Sequence, residues 1–142
     1  MKIDFYLVSE KNSAKYIQFV CKLVDKIYHL DLRIYIHTKS MDDAVILDDR
    51  LWTFNQGSFL PHTICENTAI QDTPIIIGYL DQLVGKFDVL INLSESVPGF
   101  FEQFGRIAEV VDSSENNKKL ARDRFRFYQH HSYKIDTHHI DI

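Results

Sequence analysis

The segment "PIIIGYLDQLVGKFDVLINLS", residues 74–94, contains two short and almost uninterrupted apolar runs, and these indicate the class of fold. Residues 74–80 and 88–94 each have the length of a strand, and residues 81–87, which include Gly85, connect them. Neither run alternates between polar and apolar residues, which is typical of strands with both faces buried. Such strands occur in parallel sheets that helices cover on each side.

Toward the amino terminus, strand signals alternate with helix signals. Residues 3–8 and 32–38 are apolar runs rich in β-forming residues and predict two more strands. Between them, apolar residues recur every three or four positions over residues 14–29, which predicts an amphipathic helix. Residues 40–52 predict a second helix, for which Ser40 is the expected cap.

The alternation continues toward the carboxyl terminus. Residues 98–105 predict a short helix and residues 106–112 predict a further strand. Residues 113–131 predict the last helix, with Ser113 or Ser114 as its cap.

Together these elements predict a single α/β domain over residues 1–142. We expect a three-layer sandwich with a largely parallel sheet, helices on both faces and a Rossmann-like topology. Residues 134–142 have no clear periodicity and are expected to form a flexible tail.

The composition favours a globular protein that does not bind nucleic acid directly. Hydrophobic residues make up 45% of the chain, which is enough to build a core and too much for a disordered protein. The net charge of −4 argues against holding DNA or RNA through phosphates, because that needs a basic surface. Two distant cysteines, with no signal peptide and no long apolar run, favour a cytoplasmic protein without a membrane segment.

The sequence lacks the phosphate-binding motifs of the common α/β enzymes. There is no GxxxxGK[ST], and no GxGxxG dinucleotide motif follows the first predicted strand. We therefore expect no cofactor. A nucleotide-binding or transferase-like α/β enzyme without a recognised motif is the alternative. It predicts a pocket lined with polar groups at the carboxyl ends of the strands.

The nucleophilic and metal-binding residue types also form no convincing site. His62 stands three residues before Cys65, a spacing common by chance, and a half-buried cysteine that behaves as a small hydrophobe is favoured over a thiol nucleophile. Adjacent histidines, at 130–131 and at 138–139, point to different faces, so no metal site is predicted.

The last predicted helix carries a stripe of basic and aromatic residues. Lys118, Arg122 and Phe125 are spaced i, i+4 and i+7, and Tyr128 extends the stripe. Positive charge beside an aromatic ring suits a peptide that ends in a carboxylate next to an apolar side chain. Two alternatives stay open: an amphipathic helix whose basic residues are merely solvated, and direct binding of single-stranded DNA.

A second unusual segment is "LWTFNQGSFLPH", residues 51–62, which holds the only tryptophan and two phenylalanines around a predicted turn at residues 55–58. These aromatic side chains either fill the core or bind another protein. Tryptophan is enriched among the anchors of protein interfaces, and Phe54, Phe59, Leu60 and Pro61 cannot all turn inward easily from one loop. We therefore expect a partner site in this segment.

With these two features in place, the chain resembles the chi subunit of bacterial DNA polymerase III holoenzyme. The resemblance rests on motifs that occur in the family's order over nearly the whole chain. They are "IDFYLV" at residues 3–8, "LDDRLWTFNQGSFLPH" at 47–62, "DVLINL" at 88–93, "EVVD" at 109–112 and "ARDRFRFY" at 121–128.

The resemblance implies a non-catalytic replication adaptor in the bacterial cytoplasm, associated with the replisome. Chi-like proteins form a heterodimer with the psi subunit of the clamp loader. They also bind the acidic C-terminal tail of single-stranded DNA-binding protein, which ends in Pro-Phe, so contact with nucleic acid is only indirect. The positions that match the family's tail-binding residues are Lys118, Arg122, Arg124, Phe125 and Tyr128, with Val111 at the border. Those that match its psi-facing region are Leu51, Trp52, Phe59 and Pro61.

Overall fold

The computed structural model describes residues 1–9, 13–54, 59–65, 72–83 and 85–141. In these ranges the chain forms seven strands, three α-helices and one short 3₁₀ turn at Phe101–Gln103. The strands are β1 (Lys2–Val8), β2 (Ile34–His37), β3 (His62–Ile64), β4 (Ile75–Gly78), β5 (Val89–Asn92), β6 (Arg106–Val111) and β7 (Ile135–Ile140). The helices are α1 (Ser13–Tyr28), α2 (Met41–Thr53) and α3 (Glu115–His130).

All seven strands join one parallel sheet. Their order is β3-β4-β2-β5-β6-β1-β7, so β3 and β7 lie at its two edges. The central strands β2, β4 and β5 are buried along their whole lengths. This confirms the expectation of a parallel sheet drawn from the uninterrupted apolar runs.

Helices cover the sheet on both faces, as predicted. On one face, α1 and α2 pack on alternate strand residues such as Ile36 and Ile91. On the other face, α3 and the segment around the 3₁₀ turn pack on the intervening residues, which include Tyr35 and Leu90. The alternation of side chains along a strand therefore separates the core into two layers.

The helix starts follow the local sequence. Ser40 caps α2, and its Oγ accepts a hydrogen bond from the Asp43 N–H over 3.2 Å. Ser114 caps α3 in the same way, accepting from the Asn117 N–H over 3.3 Å. The helix predicted over residues 98–105 is reduced to the single 3₁₀ turn, whose short span leaves no room for regular α-helical bonds.

The expectation of a flexible tail is wrong for residues 135–140, which form β7. This strand pairs with β1 from Ile3–Ile135 to Val8–Ile140. The buried carboxylate of Asp4 lies 2.9 Å from His138 Nε2, and the His138 ring stacks on Tyr6 at 4.8 Å. An edge strand that is only half-buried carries polar residues on both faces, so its sequence shows no apolar periodicity.

The carboxyl ends of β1 and β6 lie side by side, but the chain leaves them toward opposite faces of the sheet. After β1 it continues into α1, and after β6 it continues into α3. In parallel α/β sheets a crevice opens where neighbouring connections diverge in this way. Within the described ranges, no helix is both long and apolar enough to cross a membrane.

Candidate partner-docking sites

A groove of about 590 Å³ lies between α3 and β7 at the carboxyl edge of the sheet. We call it the α3–β7 groove. Its floor is apolar and comes from β1 and β6, through Phe5, Leu7 and Val111. The α3 wall contributes Lys118, Ala121, Arg122 and Phe125, and the β7 wall contributes Thr137 and His139.

The α3 wall combines positive charge at the rim with an aromatic ring at the base. Phe125 is half-buried and contacts the Phe5 ring edge-on, with centroids 5.3 Å apart. Lys118 and Arg122 are exposed above it. Lys118 reaches only the exposed Glu115, at 4.0 Å, and Arg122 forms no ion pair with any described residue. Both cations are therefore available to a ligand in the groove.

The family resemblance predicts Arg124 and Tyr128 beside these residues, but the structure buries them beneath α3. Their exposed fractions are 6% and 0%. Arg124 Nε donates to Glu109 Oε1 over 2.9 Å, and the Tyr128 hydroxyl donates to Glu109 Oε2 over 2.7 Å. Asn92 Nδ2 is a third donor to the same carboxylate, at 2.9 Å. Neither side chain lines the groove, and both hold α3 on the sheet.

The electrostatics of this buried cluster keep the tyrosine protonated. Burial raises the pKa of Glu109, and the adjacent Arg124 guanidinium offsets part of that rise. Burial and the nearby Glu109 carboxylate both raise the pKa of Tyr128. Tyr128 consequently remains a hydrogen-bond donor throughout the physiological range. The cluster is a structural clamp between β5, β6 and α3.

The aromatic segment after α2 forms an exposed surface. Trp52 is 50% exposed and Phe59 is 69% exposed, and their rings lie 5.6 Å apart. Pro61 is half-buried beside them, whereas Leu51 is in the core and is only 1% exposed. Leu51 is thus not placed to contact a partner. The turn predicted at residues 55–58 lies outside the described residues.

Helix α2 extends this surface by two residues that the sequence reading did not single out. Met41 is 50% exposed and Val45 is 41% exposed. At 100° per residue, Met41, Val45 and Trp52 fall within an arc of about 40° on the helix. The i, i+4, i+11 spacing of these residues could have revealed the stripe. We call Met41, Val45, Trp52 and Phe59 the α2 stripe.

His62 and Cys65 do not form a catalytic pair. His62 is buried against α2, where Nδ1 contacts the Leu60 carbonyl and Nε2 lies 3.3 Å from Asp48 Oδ1. Cys65 packs with the core on the opposite face of the sheet. Among the described residues there is also no group of three or more side chains that could hold a metal ion.

A second, more polar crevice of about 360 Å³ opens at the carboxyl ends of β2, β5 and β6. It is the kind of pocket that the enzyme alternative predicts. Its charged lining residues are Lys39, Asp43, Arg50, Glu95, Asp112 and Arg124. The hydroxyl of Tyr16, which also lines this crevice, already donates a hydrogen bond to the Val110 carbonyl over 2.9 Å. Burial raises the pKa of Tyr16, so the hydroxyl stays protonated.

Comparisons with known proteins help to choose between a partner-binding protein and an α/β enzyme. The family model described as "DNA polymerase III chi subunit, HolC" matches residues 1–136. A DNA polymerase III subunit chi from Pseudomonas aeruginosa is 32% identical over 139 residues, which cover 98% of this chain and 96% of that protein. The subunit chi of Haemophilus influenzae is 26% identical, with 96% of each chain covered. That of Escherichia coli is also 26% identical, over 84% of this chain and 82% of the other.

Among solved structures, the fold is similar to part of the crystal structure of T4 UvsW, with a TM-score of 0.68. The match covers 99% of this chain but 41% of that one, at 10% identity, so it shows a shared α/β fold alone. The full-length sequence matches carry the assignment instead. The chain belongs to the DNA polymerase III chi subunit family, whose members are non-catalytic accessory subunits in bacterial DNA replication.

Proposed function

We propose that this chain is an adaptor with two separate docking surfaces. The α3–β7 groove takes the acidic C-terminal tail of single-stranded DNA-binding protein, and the α2 stripe takes the psi subunit of the clamp loader. Such an adaptor would connect the polymerase holoenzyme to template strands that are already coated with protein.

The observation that carries the tail-binding proposal is that two exposed cations, Lys118 and Arg122, stand above an apolar floor. A peptide that ends in phenylalanine presents an aromatic ring and a carboxylate on the same residue. The ring can pack on the apolar floor beside Phe5 and Phe125, whose own rings already touch, and Arg122 or Lys118 can bind the carboxylate at the rim. Because the chain as a whole carries a charge of −4, an acidic tail is attracted to this patch and repelled elsewhere.

The test is fluorescence anisotropy of a labelled acidic peptide that ends in Pro-Phe, at low and moderate salt. We expect saturable micromolar binding, on the order of −8 kcal/mol. Binding should weaken with salt, and it should be lost for a control peptide that lacks the last phenylalanine. A labelled single-stranded oligonucleotide should not bind; if it bound as tightly as the peptide, direct DNA binding would replace this proposal.

Arg122→Ala should raise the dissociation constant of the tail at least about tenfold, which corresponds to about 1.4 kcal/mol. The matched control is Arg126→Ala, because Arg126 is an exposed arginine on the same helix that pairs with Asp123 at 3.3 Å and does not line the groove. The control should bind like the wild type. Equal losses in the two variants would mean that general charge, and not the groove, attracts the tail.

The psi proposal is supported by the exposed aromatic pair of Trp52 and Phe59 and by its continuation along α2. Burying a large apolar side chain at an interface contributes about 1.5–3 kcal/mol. Trp52→Ala should therefore weaken psi binding in calorimetry while leaving tail binding unchanged. Loss of both activities would indicate unfolding, which circular dichroism of the variant would reveal.

A further inference from the structure

An acidic flank runs along one side of the α2 stripe. Met41, Val45 and Trp52 stand at i, i+4 and i+11, which is the spacing of d, a and a positions in a heptad repeat. In that frame Asp42 and Asp49 are both e positions, directly beside the apolar residues. Charges at e positions pair with charges on a second helix and determine which partner is accepted.

Both flanking carboxylates are available to a partner. Asp42 and Asp49 are exposed, and neither carboxylate forms an ion pair with any residue that the structure describes. They are one heptad apart, so about 10.5 Å separates them along the helix axis. Asp48 differs from them, because it is half-buried and its Oδ1 lies 3.3 Å from His62 Nε2.

The other two charged residues of α2 point away from the stripe. Asp43 and Arg50 are both f positions, and both line the polar crevice. Arg50 is the basic residue of this helix, and at 100° per residue it lies about 140° from Val45. The face of α2 that holds the stripe therefore carries negative charge alone.

The acidic flank disfavours a second copy of this chain as the occupant of the stripe. A two-fold interface uses the same patch on both subunits. In an antiparallel two-fold contact, the Asp42 and Asp49 flank of one α2 would face the same flank of the other. Like charges placed opposite each other weaken such a contact, whereas a basic partner is attracted.

We propose that the element of psi that covers the α2 stripe is an amphipathic helix with lysine or arginine residues one heptad apart, which pair with Asp42 and Asp49. This inference rests on the proposed psi-binding function and adds the chemistry of the partner to it. The apolar stripe provides the contact area, and the acidic flank selects a basic helix and sets its register. Charges at the rim of an interface act mainly on the association rate and on its salt dependence.

The experiment measures the association and dissociation rates of psi by biolayer interferometry, at about 50 mM and about 500 mM salt. Asp49→Asn should weaken binding about two- to fivefold at the lower salt, the size expected for one exposed charge pair, mostly through slower association. The loss should shrink at the higher salt, where the charges are screened. Asp43→Asn is the matched control, because it removes the same charge from the same helix at an f position, and it should bind like the wild type.

A charge swap tests the basic helix directly. Asp49→Lys should weaken psi binding more than Asp49→Asn does, because it replaces attraction by repulsion. Reversing the lysines and arginines of psi to glutamate one at a time, in combination with Asp49→Lys, should restore affinity at one position. Restoration at no position would contradict a direct pair between Asp49 and psi.

The possible failures are distinguishable. If Asp49→Asn and Asp43→Asn both bind psi like the wild type while Trp52→Ala binds weakly, the acidic flank plays no part, and this proposal is overturned while psi docking stands. If the wild type does not bind psi at either salt concentration, the proposed psi-binding function itself fails. Self-association of the chain in analytical ultracentrifugation that Trp52→Ala abolishes would show that the stripe takes a second copy, which also overturns the proposal.

Discussion

Arg122 and Arg124 are two residues apart on α3, and that spacing gives them opposite environments. At 100° per residue they point about 200° apart, so one faces the groove and the other faces the sheet. Arg122 is exposed, whereas Arg124 is buried in an ion pair with Glu109. A buried ion pair stabilises a protein most when the other lone pairs of its carboxylate also accept hydrogen bonds. Asn92 and Tyr128 donate these hydrogen bonds to Glu109.

Tyr128→Phe should destabilise the protein, because it removes one of three donors from a carboxylate that is fully buried. We expect a loss of about 1–3 kcal/mol in the free energy of unfolding, measured by urea denaturation. Tyr133→Phe is the matched control and should cost under about 0.5 kcal/mol, since Tyr133 is half-buried and its hydroxyl forms no hydrogen bond with any described residue. Equal stabilities of the two variants would contradict the clamp role.

The burial of His37 predicts how the free energy of unfolding depends on pH. It is 6% exposed, its Nδ1 has no hydrogen-bond partner among the described residues, and burial lowers its pKa. The unfolded chain then takes up a proton at a higher pH than the folded protein does. Stability is therefore lost as the pH falls below the ordinary histidine value of about 6.5, by up to about 1.4 kcal/mol per pH unit.

The check is urea unfolding of the wild type and His37→Gln at about pH 7.5 and about pH 5.5. Both proteins will share acid effects from other groups, so the quantity compared is the difference between their slopes. The variant should lose less stability than the wild type between the two pH values. An identical loss in both would rule out His37 as a source of the acid sensitivity.

At the scale of elements, α2 presents different residues to the core, to the polar crevice and to solvent. Leu47 and Leu51 are buried, and Met41, Val45 and Trp52 form the exposed stripe. Exposed apolar residues that are contiguous mark interaction surfaces more often than isolated ones do. The helix thus joins the core to the proposed psi surface.

Met41→Ser and Val45→Ser should each weaken psi binding by about three- to thirtyfold, because each removes apolar area from the proposed interface. Ile46→Ser is the matched control on the same helix. Ile46 is 52% exposed, but it lies about 140° from Met41 and lines the polar crevice. Calorimetry with psi should show normal binding for the control. A control as weak as the stripe variants would place the interface elsewhere on α2.

At the scale of the whole molecule, the two proposed surfaces lie at opposite edges of the sheet. Trp52 contacts His62 of β3 at 4.3 Å, whereas the groove borders β7. Six strand spacings of about 4.8 Å separate these edges, or roughly 29 Å. That distance exceeds the Debye length of about 8 Å at physiological salt, so charges at one surface have little effect on the other.

The two partners should therefore bind at the same time and independently. We expect the dissociation constant of the tail peptide to change less than about twofold when psi is saturating. Anisotropy of the peptide in the presence of psi measures this, and analytical ultracentrifugation should detect the ternary complex. Competition between psi and the peptide would show that the surfaces overlap or are coupled.

Sequence patterns alone were enough to predict five of the seven strands of the described residues, the three α-helices, the parallel α/β architecture and the family resemblance. Uninterrupted apolar runs identify buried parallel strands, and the 3.6-residue period identifies which helix residues share a face. These local rules sufficed to find the stripe of Lys118, Arg122 and Phe125. They also singled out Trp52 and Phe59, which the structure leaves exposed.

Long-range contacts in the folded protein determine which helix faces meet the sheet and where a groove opens. The periodicity of the sequence does not predict that Arg124 and Tyr128 are buried, because they are buried by hydrogen bonds to Glu109 on β6. It also misses β7, because an edge strand is stabilised by hydrogen bonds to β1 and by the Asp4–His138 contact instead of an apolar face. The groove needs β1, β6, α3 and β7 together, and residues that far apart in sequence meet only when the chain folds.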